Sequence, residues 1–341
     1  MKKIVLLMAA MVMLWGCHNG AAEGEQKKGS SGKTLELLVV ANDNVYCGDT
    51  KAMVDSIFRS LQEGLPEPEA RFDVVNIPVS SFESTEMFQN HRNVLLLDVK
   101  EGNPNKVYKH VDQYAAPQVV FDFAASSPTE LQQLLRKYAD AMLEEYYRAE
   151  HRRIIKAFKG MENREVNAKI RDQFGFGLMF SNEFSIAKQE PNFAWVRKEA
   201  KDFGIGVLVW VRPYKDRSTF EEQSVLDNID TIMKRHVPAS KEGSYTGVER
   251  RRGGQGHYLM PITQRQVTME GSEYCVETRG CWRSFGDYMG GPFVCYTMLS
   301  DGGKQIVTLM GYVYCPRNKP WTKRDLLMQV ESICWSMDRN K

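Results

Sequence analysis

Two stretches about one hundred residues apart carry the same order of signals, and that repetition narrows the possible folds more than any other feature. In the first, Phe193–Ala200 and Gly206–Val211 flank the turn Asp202-Phe203-Gly204 and end at Arg212-Pro213. Ser218-x-x-Glu221 follows as a capping box, opening a helix with Leu226, Ile229 and Met233 on its inner face. In the second, Phe293–Ser300 and Ile306–Tyr314 flank Asp301-Gly302-Gly303 and end at Cys315-Pro316. Thr322-x-x-Asp325 then caps a helix with Val330, Ile333 and Met337 inward. The offset grows only from 100 residues at Phe193 and Phe293 to 104 at Ser218 and Thr322. Strand period followed by helix period, twice, predicts an α+β unit over 174–341 made of a pair of β-hairpin–helix modules.

Upstream, Ser127-Pro128-Thr129-Glu130 announces a helix: Ser127 caps, Pro128 suits the first turn and Glu130 completes the box. Its apolar stripe runs from Leu131 to about Gly160, where a bend is expected, and resumes weakly to Ile170. Thirty-odd helical residues are about 45–50 Å long, so 127–173 reads as one long helix bridging two halves. Its Arg148, Arg152, Arg153 and Lys156 read as a solvated face.

Short apolar runs at Leu35–Ala41, Phe72–Ile77, Val94–Val99 and Val119–Ala124, with a helical pattern from Met53 to Leu61, predict an N-terminal α/β layer over 34–126. Leu65-Pro66-Glu67-Pro68-Glu69 is an extended breaker within it.

The chain begins with Lys2-Lys3, eleven apolar residues from Ile4 to Leu14, and Trp15-Gly16-Cys17. That is the layout of a lipoprotein signal peptide over 1–16, with Cys17 as the lipidated residue. Acylation there (diacylglycerol with a further palmitate-type chain) implies a stable membrane anchor, since each buried CH₂ contributes about 0.8 kcal/mol. Residues 17–33 read as a flexible tether. The formal charge of +2 falls to 0 once Lys2 and Lys3 are removed, so the composition gives no reason to expect nucleic acid as a partner. A cell-envelope location follows, on the outer membrane facing the periplasm.

Six cysteines remain: Cys47, Cys275, Cys281, Cys295, Cys315 and Cys334. An exported chain can pair them, and six allow fifteen pairings among which spacing does not choose. Buried free thiols beside one or two bridges satisfy the pattern equally. There is no C-x-x-C and no histidine at zinc spacing, so no metal or cofactor is expected.

Motifs of known chemistry are missing: no G-x-S-x-G, no H-E-x-x-H, no S-x-x-K, no intact G-x-G-x-x-G. Gly29-Ser-Ser-Gly-Lys-Thr34 mimics the end of a phosphate loop, but Lys27 stands where the motif needs glycine and no strand precedes it. His91, His110, His151, His236 and His257 are scattered and read as surface or satisfied residues. Val248–Gly256 is a basic, glycine-rich loop read as solvated. The unusual segment is Gly280–Phe293, with four aromatics and several glycines. It reads as a loop against the last hairpin, whose turn sets opposed residues at numbers summing to about 605. The candidate binding surface is Trp282, Arg283, Asp287, Tyr288, Met289, Gly290, Gly291, Pro292 and Phe293, with Tyr312, Tyr314 and Arg92. Asp287, without a partner base, reads as a carboxylate bonded to its own turn rather than a catalytic group.

These residues resemble a family of Bacteroidota lipoproteins known as a domain of unknown function. The resemblance is carried by Leu65-Pro66-Glu67-Pro68-Glu69, Arg92-Asn93, Pro117-Gln118, Gly280-x-Trp282, Gly286-Asp287-x-Met289-Gly290-Gly291-Pro292-Phe293 and Tyr312-Val313-Tyr314-x-Pro316. The family usually has Ala where this chain has Cys315. The resemblance implies an envelope lipoprotein and brings no reaction. The expectation is a non-enzymatic binding or assembly module that uses the Trp282–Phe293 surface on an envelope protein or glycan, the alternative an envelope-polymer hydrolase centred on Asp287.

Overall fold

The computed structural model describes residues 27–239, 241–250, 262–300, 302–317 and 322–339. Cys17 and the leader lie outside the described residues, as does 251–261 of the basic loop. The fold is α+β: a parallel-rich sheet, an antiparallel sheet and a long helix that packs on both.

The first sheet contains β1 (Glu36–Val40), β2 (Asp73–Ile77), β3 (Asn93–Val99), β4 (Lys106–Val111) and β5 (Val119–Ala125), in the order β2-β1-β3-β5-β4. All its pairings are parallel except β4 with β5. Parallel strands need crossovers, and α1 (Gly48–Phe58) connects β1 to β2. Helices α2 (Val79–Ser84) and α3 (Glu86–Gln89) lie between β2 and β3. Both faces are covered, which is why β1 is apolar at every inner position. Leu37 and Val39 face one core with Val54, Phe58 and Tyr146, while Leu38 and Val40 face a second with Phe82.

Helix α4 (Pro128–Gly160) starts at Ser127, whose side chain accepts from Glu130 N. It stops at Met161, and α5 (Arg164–Phe174) restarts with Asn163 as its cap. Leu131, Leu135, Met142 and Tyr146 of α4 bury against the parallel sheet, and Phe158 against the antiparallel one. Each such side chain contributes about 1.5–3 kcal/mol on burial. The basic face is not wholly solvated: Arg153 is buried, donating to Asn93 Oδ1 (3.0 Å), Glu150 Oε1 (2.8 Å) and the carbonyls of Arg92 and Pro117.

The second sheet is antiparallel, in the order β10-β11-β12-β13-β8-β7-β6, with β9 also on β11. Its strands are β6 (Ser185–Glu190), β7 (Phe193–Glu199), β8 (Gly204–Pro213), β9 (Tyr245–Val248), β10 (Thr263–Val267), β11 (Tyr274–Phe285), β12 (Gly290–Ser300) and β13 (Gln305–Tyr314). The two hairpins meet edge to edge as β8 pairs with β13, and the second hairpin has the register in which paired numbers sum to 605. Their helices fall on opposite faces. α6 (Glu222–His236) covers Trp195, Leu208, Trp210 and Phe293, whereas α7 (Lys323–Trp335) covers Val207, Val209, Tyr296 and Leu309. The sheet is therefore buried on both sides.

Three expectations need correction. Ser218 does not cap α6: Asp216 accepts from Ser218 N and opens a 3-10 turn, and Glu221 precedes α6 without a side-chain cap. Residues 29–33 are not a free tether, because Gly29 and Ser31 form β-bridges to Ala116 and His91. Gly280–Phe293 is not a loop but the turn of a long hairpin, with Cys281 to Arg283 paired to Pro292 to Gly290. Of the two readings left open for the cysteines, the bridged one is not taken among the described residues: the six thiols are free, Cys47 exposed and the other five buried. Cys275 and Cys295 lie on paired strands but out of register, opposite Met298 and Thr278. Burial pushes the Cys281 and Cys295 thiols up to about 12.

The halves interlock at the Pro-rich turn. Glu69 accepts from the backbone N–H groups of Lys323 (3.2 Å) and Arg324 (3.1 Å), placing an anion at the N-terminus of α7. Arg324 returns to Asp73 and to the Ala70 carbonyl. Among the described residues no helix is long and apolar enough to cross a membrane.

Candidate functional site

A cleft of about 360 Å³ opens where the β11–β12 turn meets the end of β13, the start of α7 and the Pro-rich turn. Local geometry follows from glycine. Gly286 has φ +95°, and a Cβ on Gly291 would stand 2.0 Å from the Val313 carbonyl oxygen. Without that Cβ, β12 can pass close to β13 while the Trp282 indole donates to the same oxygen at 3.1 Å.

The cleft gathers Trp282, Arg283, Asp287, Tyr288, Met289, Gly290, Gly291 and Tyr314, and adds Glu67, Glu249 and Lys323. Arg283 donates to Glu249 (2.9 Å), and Lys323 pairs with Glu67. Asp287 accepts from Tyr288 N (2.7 Å), with the Lys241 ammonium 3.6 Å away and above the Tyr288 ring. Tyr288 is 98 % exposed. Other candidates are placed elsewhere. Phe293 and Tyr312 lie in the core against α6, where Tyr312 OH accepts from Trp195 Nε1 (2.9 Å) and Trp282 packs edge-on at 5.8 Å. Pro292 is buried in β12. Arg92 sits at the start of β3, bound to Glu150, and takes no part in the cleft.

A larger cavity, about 690 Å³, lies at the junction of the two halves and collects five separate segments. The turn at 62–71, α4, the β10 strand, β11 and α7 all contribute. Its floor is a buried charge network. Arg279 donates to Glu277 through Nε (2.8 Å) and Nη2 (3.0 Å), and to Glu331 Oε1 (2.6 Å). Tyr296 OH lies 3.0 Å from Glu277 and 3.2 Å from Glu331, and itself accepts from Trp335 Nε1 (2.9 Å). Arg265 approaches Glu277 from the rim at 2.8 Å. Burial alone would raise the Glu277 pKa, but Arg279 and Arg265 outweigh it and hold the carboxyl well below its usual range.

His151 completes the floor, stacked on Trp335 at 5.5 Å. Its Nδ1 lies 3.0 Å from Ser332 Oγ, whose own proton goes to the Met328 carbonyl (2.6 Å). Nδ1 is therefore the donor, and in the neutral ring Nε2 keeps a lone pair, 3.7 Å from Glu331 Oε1. Burial lowers the His151 pKa against the opposing pull of Glu331, which favours that neutral form. Among the described residues Arg279 Nη1 is buried without a hydrogen-bond partner.

Sequence reading missed this cavity, since no two of its segments look unusual. A signal exists in hindsight: Glu277 and Arg279 share one face of β11, where both are buried, and Glu331 interrupts the inner face of α7. Among the described residues no group of three His, Cys, Asp or Glu could hold a metal ion.

No curated protein matches the chain. Residues 30–159 match the family model described as Domain of unknown function (DUF8532), and residues 163–336 match Domain of unknown function (DUF4837). The two matches meet at the break between α4 and α5, so the junction cavity draws residues from both. By the match that spans half its length, the chain belongs to the family of the Domain of unknown function (DUF4837).

Proposed function

We propose that this is a lipid-anchored envelope protein of the Bacteroidota type, acylated at Cys17 and held on the outer membrane facing the periplasm. In this reading it is a non-enzymatic module that binds an envelope protein or glycan through the Trp282–Phe293 surface. The observation that carries the reading is Tyr288, almost wholly exposed beside Met289 at the mouth of a cleft whose charges are engaged with one another. Asp287 is held by its own turn and by Lys241, and Glu249 and Glu67 by Arg283 and Lys323. Carboxylates so paired favour recognition over hydrolysis at Asp287. An exposed aromatic suits a contact, combining apolar area with a polar tip.

The test is in-cell photo-crosslinking from position 288, with the exposed Val111 as the control position. A discrete adduct from 288 that is absent from 111 and lost in Met289→Ala supports the reading. Equal adducts from both positions contradict it. Cys17→Ala is expected to release the protein from the membrane fraction, and full retention would overturn the anchor.

A further inference from the structure

We infer that the junction cavity is a second binding site, independent of the turn cleft, for a neutral polyhydroxylated ligand such as a short oligosaccharide. Donors and acceptors on the cavity floor do not balance. Arg279 uses Nε and Nη2 on Glu277 and Glu331, leaving Nη1 as a buried donor with no acceptor among the described residues. Opposite in kind are two acceptors: the Nε2 lone pair of His151, and Glu331 Oε2, which accepts no hydrogen bond among the described residues.

An unmet donor beside unmet acceptors selects against ions. An anion offers only acceptors and would confront Glu277, Glu331 and the His151 lone pair. A cation would confront Arg279 and the other arginines of the lining. A hydroxyl both donates and accepts, so adjacent hydroxyls on one ring can donate to Glu331 and His151 and accept from the arginines that line the cavity mouth, Arg71, Arg152 and Arg265.

Size and walls agree with this class. The volume lies in the range of small-molecule sites, about 300–1,000 Å³. Half-buried Leu143, Tyr147, Ile155 and Trp335 give an apolar wall for the C–H faces of a sugar. Charge along the lining is balanced, with five arginines against five carboxylates. Both family regions contribute, so the site forms only when α4 and α7 are docked on one another.

Isothermal titration of the purified full chain tests this, with cellobiose, chitobiose and maltotriose as neutral probes and inorganic phosphate and putrescine as ionic ones. At least one saccharide is expected to bind saturably. Affinity should fall tenfold or more in Glu331→Gln, which removes the charged acceptor, and in Ile155→Trp, which fills the cavity from its partly exposed wall. Circular dichroism checks that both variants fold. No binding by any of the three saccharides overturns the proposal. So does binding that both variants retain, or saturable binding of phosphate or putrescine in their place.

Discussion

Adjacent residues on α4, Glu150 and His151, belong to two buried charge clusters that look alike on paper and differ in one respect. Glu150 is fully buried and meets Arg153 (2.8 Å), Asn93 Nδ2 (2.9 Å) and Arg92 (3.0 Å). That cluster ties α4 to the start of β3 and is packed shut. His151 faces Glu331, Arg279 and Glu277, with a cavity above them and a guanidinium nitrogen left over. Each cluster leaves one buried guanidinium nitrogen unpartnered among the described residues, Arg92 Nε in the first and Arg279 Nη1 in the second, so what separates a clasp from a prospective site is the cavity above the second. Buried ion pairs add little net stability over apolar residues of the same shape, so an open one calls for another reason to persist.

The sharpest way to break the comparison is to remove one residue from each cluster. Glu150→Ala leaves Arg153 buried without its carboxylate, and chemical denaturation is expected to show a loss of about 3–5 kcal/mol. Glu331→Gln keeps shape and most hydrogen bonds, so the loss should be about 1–3 kcal/mol, with ligand binding affected instead. If the two losses came out in reverse order, the junction network would be the structural one.

A second test uses pH. His151 has a lowered folded pKa, so below its ordinary value near 6.5 the unfolded chain takes up the proton first. Glu277 is also lowered, so its contribution is present above about 4.3 and fades as pH falls further. Both have the same sign: stability falls with acid, first through the histidine window and then through the carboxylate window. The groups facing His151 are Glu331, Arg279, Glu277 and Glu150. His151→Gln should flatten the first leg relative to the parent, leaving the share that His236 supplies through its own lowered pKa. An unchanged profile between pH 7 and 5.5 would contradict a neutral, buried His151.

The smallest effect is expected at the turn cleft. Tyr288→Ala should alter stability by no more than about 0.5 kcal/mol, because the ring is exposed, while abolishing co-purification of the partner identified by crosslinking. A large loss of stability would mean that the ring is structural.

What could be read from the chain follows the range of the forces involved. Local periodicity and turn chemistry located the two hairpins, their helices, Ser127 and Thr322 as caps, and the register that opposes Phe293 to Tyr312. Strand β4 went unseen because an antiparallel edge strand, mostly exposed, has no apolar alternation to read. Ser218 misled because Asp216 caps more tightly two residues earlier. Gly280–Phe293 drew attention by composition, which reports backbone crowding at Gly291 as readily as function. The junction network was illegible: Glu277 and Arg279, His151 and Glu331 are far apart in sequence, and only the docking of α4 on α7 and β11 brings them together.

The central claim, that one buried charge cluster is a clasp and its neighbour an open site, is tested most directly by ligand-induced thermal shift. The saccharide that titrates best is added at about ten times its Kd, where linkage gives about 1.4 kcal/mol and a rise of roughly 2–3 °C. The account predicts that this rise is kept by Glu150→Gln, even from a lower starting Tm, and lost by Glu331→Gln. A shift retained in Glu331→Gln, or lost in Glu150→Gln, would contradict it.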